Sequence, residues 1–266
     1  MSLHRREVLI GGLLTVVWLA NEEHCHAQGQ RIEKAPGCII RDASVARRLV
    51  SGQTVLRLSG NEPVIAKSGD ALFDRALAET LLMLTNAFNA LPDFGYVREW
   101  EKNERGQVVS NAVAVPTSVR PSRNPDGTVL FGTRLFAELR ALREHPEVAV
   151  TAVCAHEWGH ILQFKRNLTG RLLENSRTVK PVELHADFLA GYFAGMRRRQ
   201  KADYPAAVVA LTQYNIGDNE FQSPDHHGTS RERGDAVAAG FQVAYRDQKS
   251  IDEAVEIGIR MARSNM

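Results

Sequence analysis

Apolar positions recur at helical spacing through most of this chain and alternate only in short runs between residues 95 and 131. Residues 70–91 place Leu72, Ala76, Leu77, Leu81, Leu84 and Phe88 on a helical stripe, which Pro92 closes. Segments 95–100 and 108–115 alternate on either side of Asn103-Glu104-Arg105-Gly106, which predicts a hairpin, and 128–131 predicts a third strand. A helix carrying Leu135, Leu139 and Leu142 follows. Beyond Pro146, a residue suited to a first helical turn, Val148, Ala149, Val150, Ala152, Val153, Ala155, Ile161, Leu162 and Phe164 predict a helix that is buried. Pro181 opens a second apolar helix running through Phe188, Leu189, Ala190, Tyr192 and Phe193, and segments 230–246 and 251–263 predict a closing pair. The polar, turn-rich stretch 218–227 reads as a loop. The pattern predicts an α+β domain dominated by helices, with a small antiparallel or mixed sheet.

Composition narrows the classes. The chain is 44% hydrophobic and 24% charged over 266 residues, enough for one domain with a sizeable core. Its net charge of +2 offers no broad polyanion-binding face. The run Arg197-Arg198-Arg199-Gln200-Lys201 sits where a helix ends, so it reads as a solvated terminus complementing the helix dipole and not as a nucleic-acid contact.

The candidate chemistry lies inside the buried helices. In His156-Glu157-Trp158-Gly159-His160 the two imidazoles are four residues apart and share a face, so both can reach one metal ion with Glu157 beside them. Two imidazoles and one further protein ligand, with a position left for water, describe catalytic zinc, and Glu157 is the candidate general base. On the next helix Glu183 and Asp187 are also four apart. Glu183 is the candidate third ligand, and Asp187 the acceptor for the second N–H of a ligating histidine. Two carboxylates on an otherwise apolar helix are costly to bury without partners, which a metal site supplies. His185 points to another side of that helix and is read as structural.

The segments His156-Glu157-Trp158-Gly159-His160-Ile161-Leu162-Gln163, Glu183 to Gly191, Ile216-Gly217-Asp218 and His227-Gly228-Thr229-Ser230-Arg231-Glu232-Arg233 together resemble the bacterial neutral zinc metallopeptidase family. The zinc site of that family is similar to the site of the gluzincins, typified by thermolysin. The likeness runs in order from about residue 129 to 245. It implies a zincin-like fold, Zn2+ held by His156, His160 and Glu183, and Glu157 as base in peptide-bond hydrolysis. Trp158 stands where a smaller aliphatic is usual, His185 where Gln is usual and Phe188 where Cys is usual, and none of these removes a ligand. His227, Tyr214 and His226 are the donors available to a developing oxyanion, and the family-like His-Gly-Thr favours His227. The alternative for His227 is packing against the following helix, whose N-cap is Thr229 or Ser230. Phe131 and Arg134 would flank a substrate cleft along an edge strand. The expected partner is a peptide or protein substrate. A zinc hydrolase of non-peptide amides or cell-wall fragments, and a non-catalytic zinc-stabilised binding protein, are the competing readings.

The N-terminus adds a location. Arg5-Arg6 precedes an apolar run from Ile10 to Ala20, and Cys25-His26-Ala27 ends in a small residue, which together resemble a twin-arginine export signal over 1–27. The apolar run is short for a membrane span, and an uncleaved anchor is the alternative. Residues 28–68 read as an irregular leader and 69–266 as the metallopeptidase domain, working in the periplasm or outside the cell. Loss of the signal would leave Cys38 and Cys154, which could pair in an oxidising compartment unless Cys154 is a buried core thiol.

Overall fold

A computed structural model describes residues 65, 67–99, 106, 110–116, 126–217 and 226–264, all within one folded unit. The export segment 1–27 and nearly all of the leader 28–68 lie outside the described residues. So do Cys38, the turn at 103–105 and residues 218–225 of the anticipated loop.

Helix α1 (Ala71–Phe88) begins where Asp70 accepts from the backbone N–H groups of Leu72 and Phe73 at 3.1 and 3.0 Å. It ends at Asn89, which takes the left-handed conformation (φ 47°) before Pro92 is reached. Its buried stripe is Phe73, Leu77, Leu84 and Phe88, whereas Leu72 is 76% exposed. The helical period is as anticipated, but its inner edge is shifted by one residue at the start.

Strands β1 (Asp93–Val97), β2 (Ala112–Val115) and β3 (Thr128–Gly132) form one mixed sheet in the order β1-β3-β2. β3 runs parallel to β1, with Asp93 opposite Thr128, and antiparallel to β2, with Val115 opposite Thr128. The anticipated β1–β2 hairpin is therefore absent. Every residue of β3 is buried, and its central place gives it a hydrogen-bonded neighbour on each side. Phe131 lies in an aromatic cluster with Phe94, Tyr96 and Phe136 and is fully buried, so it does not flank a cleft. Arg134, on α2 (Thr133–Arg140), is half exposed and pairs with Glu138 at 3.0 Å. The first turn of α2 is capped from a distance by Glu99, which accepts from the N–H groups of Arg134 and Leu135.

The remaining helices are α3 (Pro146–Lys165), α4 (Thr169–Leu173), α5 (Lys180–Gln200), α6 (Ala206–Ile216), α7 (Ser230–Tyr245) and α8 (Ile251–Ser264). Among the described residues no helix is long and apolar enough to cross a membrane. α3 packs on the sheet and on α5, and both are buried without interruption, from Val148 to Gln163 and from Pro181 to Gly195. Small residues let these helices approach. A Cβ on Gly159 would lie 3.1 Å from the Cα of Ala186, so α3 and α5 meet nearly backbone to backbone at the His-Glu pentad. α5 and α7 meet in the same way, since a Cβ on Gly191 would fall on the carbonyl oxygen of Val237 and one on Gly240 on that of Phe188. Cys154 is a buried free thiol within α3, pushed to high pKa first by burial and then by the nearby Glu157. α6 was not anticipated, because its opening run Ala206-Ala207-Val208-Val209-Ala210-Leu211 has no helical alternation of polar and apolar positions.

Gly240→Ala should therefore lower stability by about 3 kcal/mol, the upper range of overpacking, because the obstacle is backbone and not a mobile side chain. Gly170→Ala on α4, where nothing lies within 4 Å, should be neutral or slightly stabilising. Urea unfolding of the two variants measures the difference.

Candidate metal centre

The α3–α5 crossing brings His156, His160 and Glu183 together, each at most 2% exposed, with their potential ligand atoms all within 4.8 Å of one another. The Nε2 atoms of the two histidines are 3.0 Å apart. The Glu183 carboxylate lies 3.3 Å from Nε2 of His156 and 3.6 Å from Nε2 of His160. Neither Glu183 oxygen has a hydrogen-bond partner.

The partners on the far side of each ring decide what these atoms can do. Nδ1 of His156 is 2.8 Å from Asp187, whose carboxylate also takes a bidentate contact from Arg233 at 2.7 and 2.9 Å. Asp187 can thus only accept, and Nδ1 of His156 carries the hydrogen. Nδ1 of His160 is 3.0 Å from Oε1 of Gln163. The amide nitrogen of Gln163 donates to the carbonyl of Val182 at 2.8 Å, which fixes Oε1 as the end facing His160. In the neutral rings both Nε2 atoms are therefore bare lone pairs, facing each other and a carboxylate. Three buried bases converging in this way could hold a cation between them. The separations of 3.0 to 3.6 Å match the spacing of about 3.3 Å that a tetrahedral ion with ligand bonds of about 2.0–2.2 Å imposes. The group fits a metal ion.

The buried charges of the site shift one another. Burial pushes the Glu183 carboxyl up, but His160, His156 and His227 outweigh it and hold the group well below the usual carboxylate range. Burial likewise opposes the charge on Asp187, and Arg233 with His156 overcomes it, so Asp187 is ionised. Burial lowers the pKa of His156, yet Asp187 and Glu183 raise it by more. His185, fully buried, is pushed down to about 4 by burial and is neutral near pH 7.

Glu157 is buried on α3, one residue beyond His156. His227 is 5% exposed and close enough to influence Glu183. It is followed by Gly228 in a left-handed-side conformation (φ 106°) and then by Thr229, which caps α7 in a reciprocal box with Glu232. That cap sets Arg233 at the start of α7, within reach of Asp187. Tyr214 stands on the last turn of α6, 37% exposed, with its ring against Gly234.

Three supporting residues carried no anticipated role. Gln163 orients His160, and Arg233 neutralises Asp187. Gln213, from α6, accepts from Arg233 at 3.1 Å and donates to the carbonyl of Ala152 at 3.3 Å. Gln163 and Arg233 stand inside the motifs quoted above, and each is a long polar side chain on an otherwise buried helix face; that is the available signal. Gln213 lies on the helix that the pattern did not disclose.

Comparison with family models, with curated proteins and with solved structures returned no match for this chain.

Arg233→Met should destabilise the protein by about 3–5 kcal/mol, because it strands the Asp187 charge in the interior. Adding Asp187→Asn should recover part of that loss, and denaturant midpoints of the single and double variants report the coupling.

Proposed function

We propose that this protein is a zinc-dependent hydrolase of peptide bonds, exported from the cytoplasm. The observation that carries the metal is the convergence of the His156 and His160 Nε2 atoms on Glu183, with both opposite ring nitrogens tied to acceptors. Imidazole and carboxylate donors at this spacing suit zinc better than the harder calcium or magnesium ions, which prefer all-oxygen surroundings. Among the described residues the donor set is three, and a set of three leaves a position open, as catalytic sites do and structural sites do not. Glu157 supports the enzymatic reading, since a structural site has no use for a carboxylate beside its ligands.

The ion would supply a Lewis acid that lowers the pKa of water and polarises a carbonyl. Asp187 and Gln163 keep the two imidazoles in the ligating tautomer and hold their ring planes. Glu157 takes a proton from the attacking water as the water oxygen bonds to the carbonyl carbon. It returns that proton to the nitrogen as the carbon–nitrogen bond breaks. His227 donates to the carbonyl oxygen as negative charge collects there. Tyr214 is the next donor along the chain. The export proposal rests on Arg5-Arg6 and the apolar run after them.

The purified full chain should carry one zinc per molecule, and His160→Ala should abolish stoichiometric binding in elemental analysis. Hydrolysis of a peptide library should stop with a chelator and return with added zinc. A protein that binds zinc and cleaves nothing would overturn the enzymatic reading and leave the metal assignment standing.

Glu157→Gln keeps the side chain's shape but loses the proton acceptor. Zinc content should be unchanged and turnover should fall at least about 10²-fold. Full turnover in the zinc-loaded variant would remove Glu157 from the mechanism.

A further inference from the structure

The acceptor that orients His160 is itself held by a second buried histidine. Gln163 sits one turn beyond His160, and its amide nitrogen has two neighbours: the carbonyl of Val182 at 2.8 Å and Nδ1 of His185 at 3.0 Å. The other ring nitrogen of His185 faces the carbonyl of Val255, on α8, at 3.3 Å. A carbonyl only accepts, so Nε2 of His185 carries the ring hydrogen and Nδ1 is a lone pair. That lone pair takes the second N–H of Gln163, and the Gln163 oxygen is left facing Nδ1–H of His160. Four groups on three helices, Val255, His185, Gln163 and His160, thus form one directional chain of hydrogen bonds in which every donor has an acceptor.

The chain is enclosed. His185, Gln163 and His160 are each 0% exposed, so no solvent competes for these bonds. The packing leaves His185 little freedom, because a Cβ on Gly258 of α8 would lie 2.9 Å from its ring. A buried primary amide with only one of its two N–H groups bonded is costly and free to tilt about the remaining bond. Removing the His185 lone pair would create that situation.

We propose that His185 is a positioning residue for the metal centre: anchored by Val255, it fixes the Gln163 amide, which holds His160 in the tautomer whose Nε2 is bare. The inference rests on reading the cluster as a metal site, but the tautomer exists with or without the ion. Docking of α8 against α5 is then coupled to ligand geometry two hydrogen bonds away. A side chain that merely fills space at this position would not have this effect.

The test uses the full-length protein in three forms: wild type, His185→Phe and His185→Gln. Phenylalanine keeps a flat ring and removes both nitrogens. Glutamine offers a carbonyl to Gln163 and an amide N–H to Val255. In metal-free protein near pH 8.5, nitrogen-15 shifts of His160 read its tautomer directly, and competition with a chromophoric chelator gives the zinc Kd.

Wild type should show the Nδ1–H form of His160. His185→Phe should admit the Nε2–H form and weaken zinc by about tenfold, at the low end of what loss of an outer hydrogen-bond partner does. His185→Gln should restore both. If His185→Phe fails to fold, His185→Leu is read in the same way. An unchanged tautomer in the apolar variant overturns the proposal, whether or not zinc binding falls, because weaker binding alone would mark His185 as packing only. A wild type that binds no zinc would instead overturn the metal reading, while the tautomer measurement still decides the role of His185.

Discussion

The near-contact of α3 and α5 at Gly159 and Ala186 is the constraint from which the site follows. Two helices carrying three imidazoles, three carboxylates and a glutamine, all buried, cannot be brought together cheaply, because each polar group loses water as the interface closes. The close approach is what lets those groups find one another. Glu183 reaches both Nε2 atoms and Asp187 reaches Nδ1 of His156 from one face of α5. A larger residue at 159 would press on the Ala186 backbone and move the carboxylate side away from the imidazole side. The middle of the pentad is thus a packing element as much as a spacer between ligands.

The second helix contact completes the electrostatics. Gly191 and Gly240 allow α7 to lie against α5, and the Thr229–Glu232 box fixes where α7 begins. Arg233 is then delivered to Asp187 as a buried, bidentate partner, and Gln213 of α6 braces the guanidinium. An ionised Asp187 is the better acceptor for His156, so a guanidinium on α7 acts on a ring nitrogen of α3 through a carboxylate on α5. Of the two histidines, His156 is oriented by a charge-paired carboxylate and His160 by a neutral amide. The difference makes the His160 side the more dependent on the exact placement of its neighbours.

The sheet contributes rigidity more than chemistry. β3, buried along its whole length, occupies the centre, and the aromatic cluster of Phe94, Tyr96, Phe131 and Phe136 fills the space between the sheet and its covering helices. Trp158, in the pentad, lies in that layer with its ring 6.3 Å from Phe94. The face of α3 opposite the histidines is thereby anchored to the sheet, and the ligand face is held toward α5.

Local periodicity determined much of this protein from sequence alone. The i, i+4 pairs His156/His160 and Glu183/Asp187, the buried character of α3 and α5, the Pro146 and Pro181 starts and the Thr229 cap depend on residues within one or two turns of each other. What the chain could not disclose depends on contacts between distant segments. The strand order β1-β3-β2 pairs β1 with a strand more than thirty residues away and not with the nearest one, so it depends on long-range contacts that the local pattern does not carry. Phe131 is in the core because Phe94, Tyr96 and Phe136, from other elements, close around it. Gln163, Arg233, Gln213 and the second function of His185 became visible only when α3, α5, α6, α7 and α8 were assembled, because a hydrogen-bond partner is chosen by distance in space. Spacing along each helix names the candidate ligands, and the packing of five helices decides which nitrogen of each imidazole faces the shared centre.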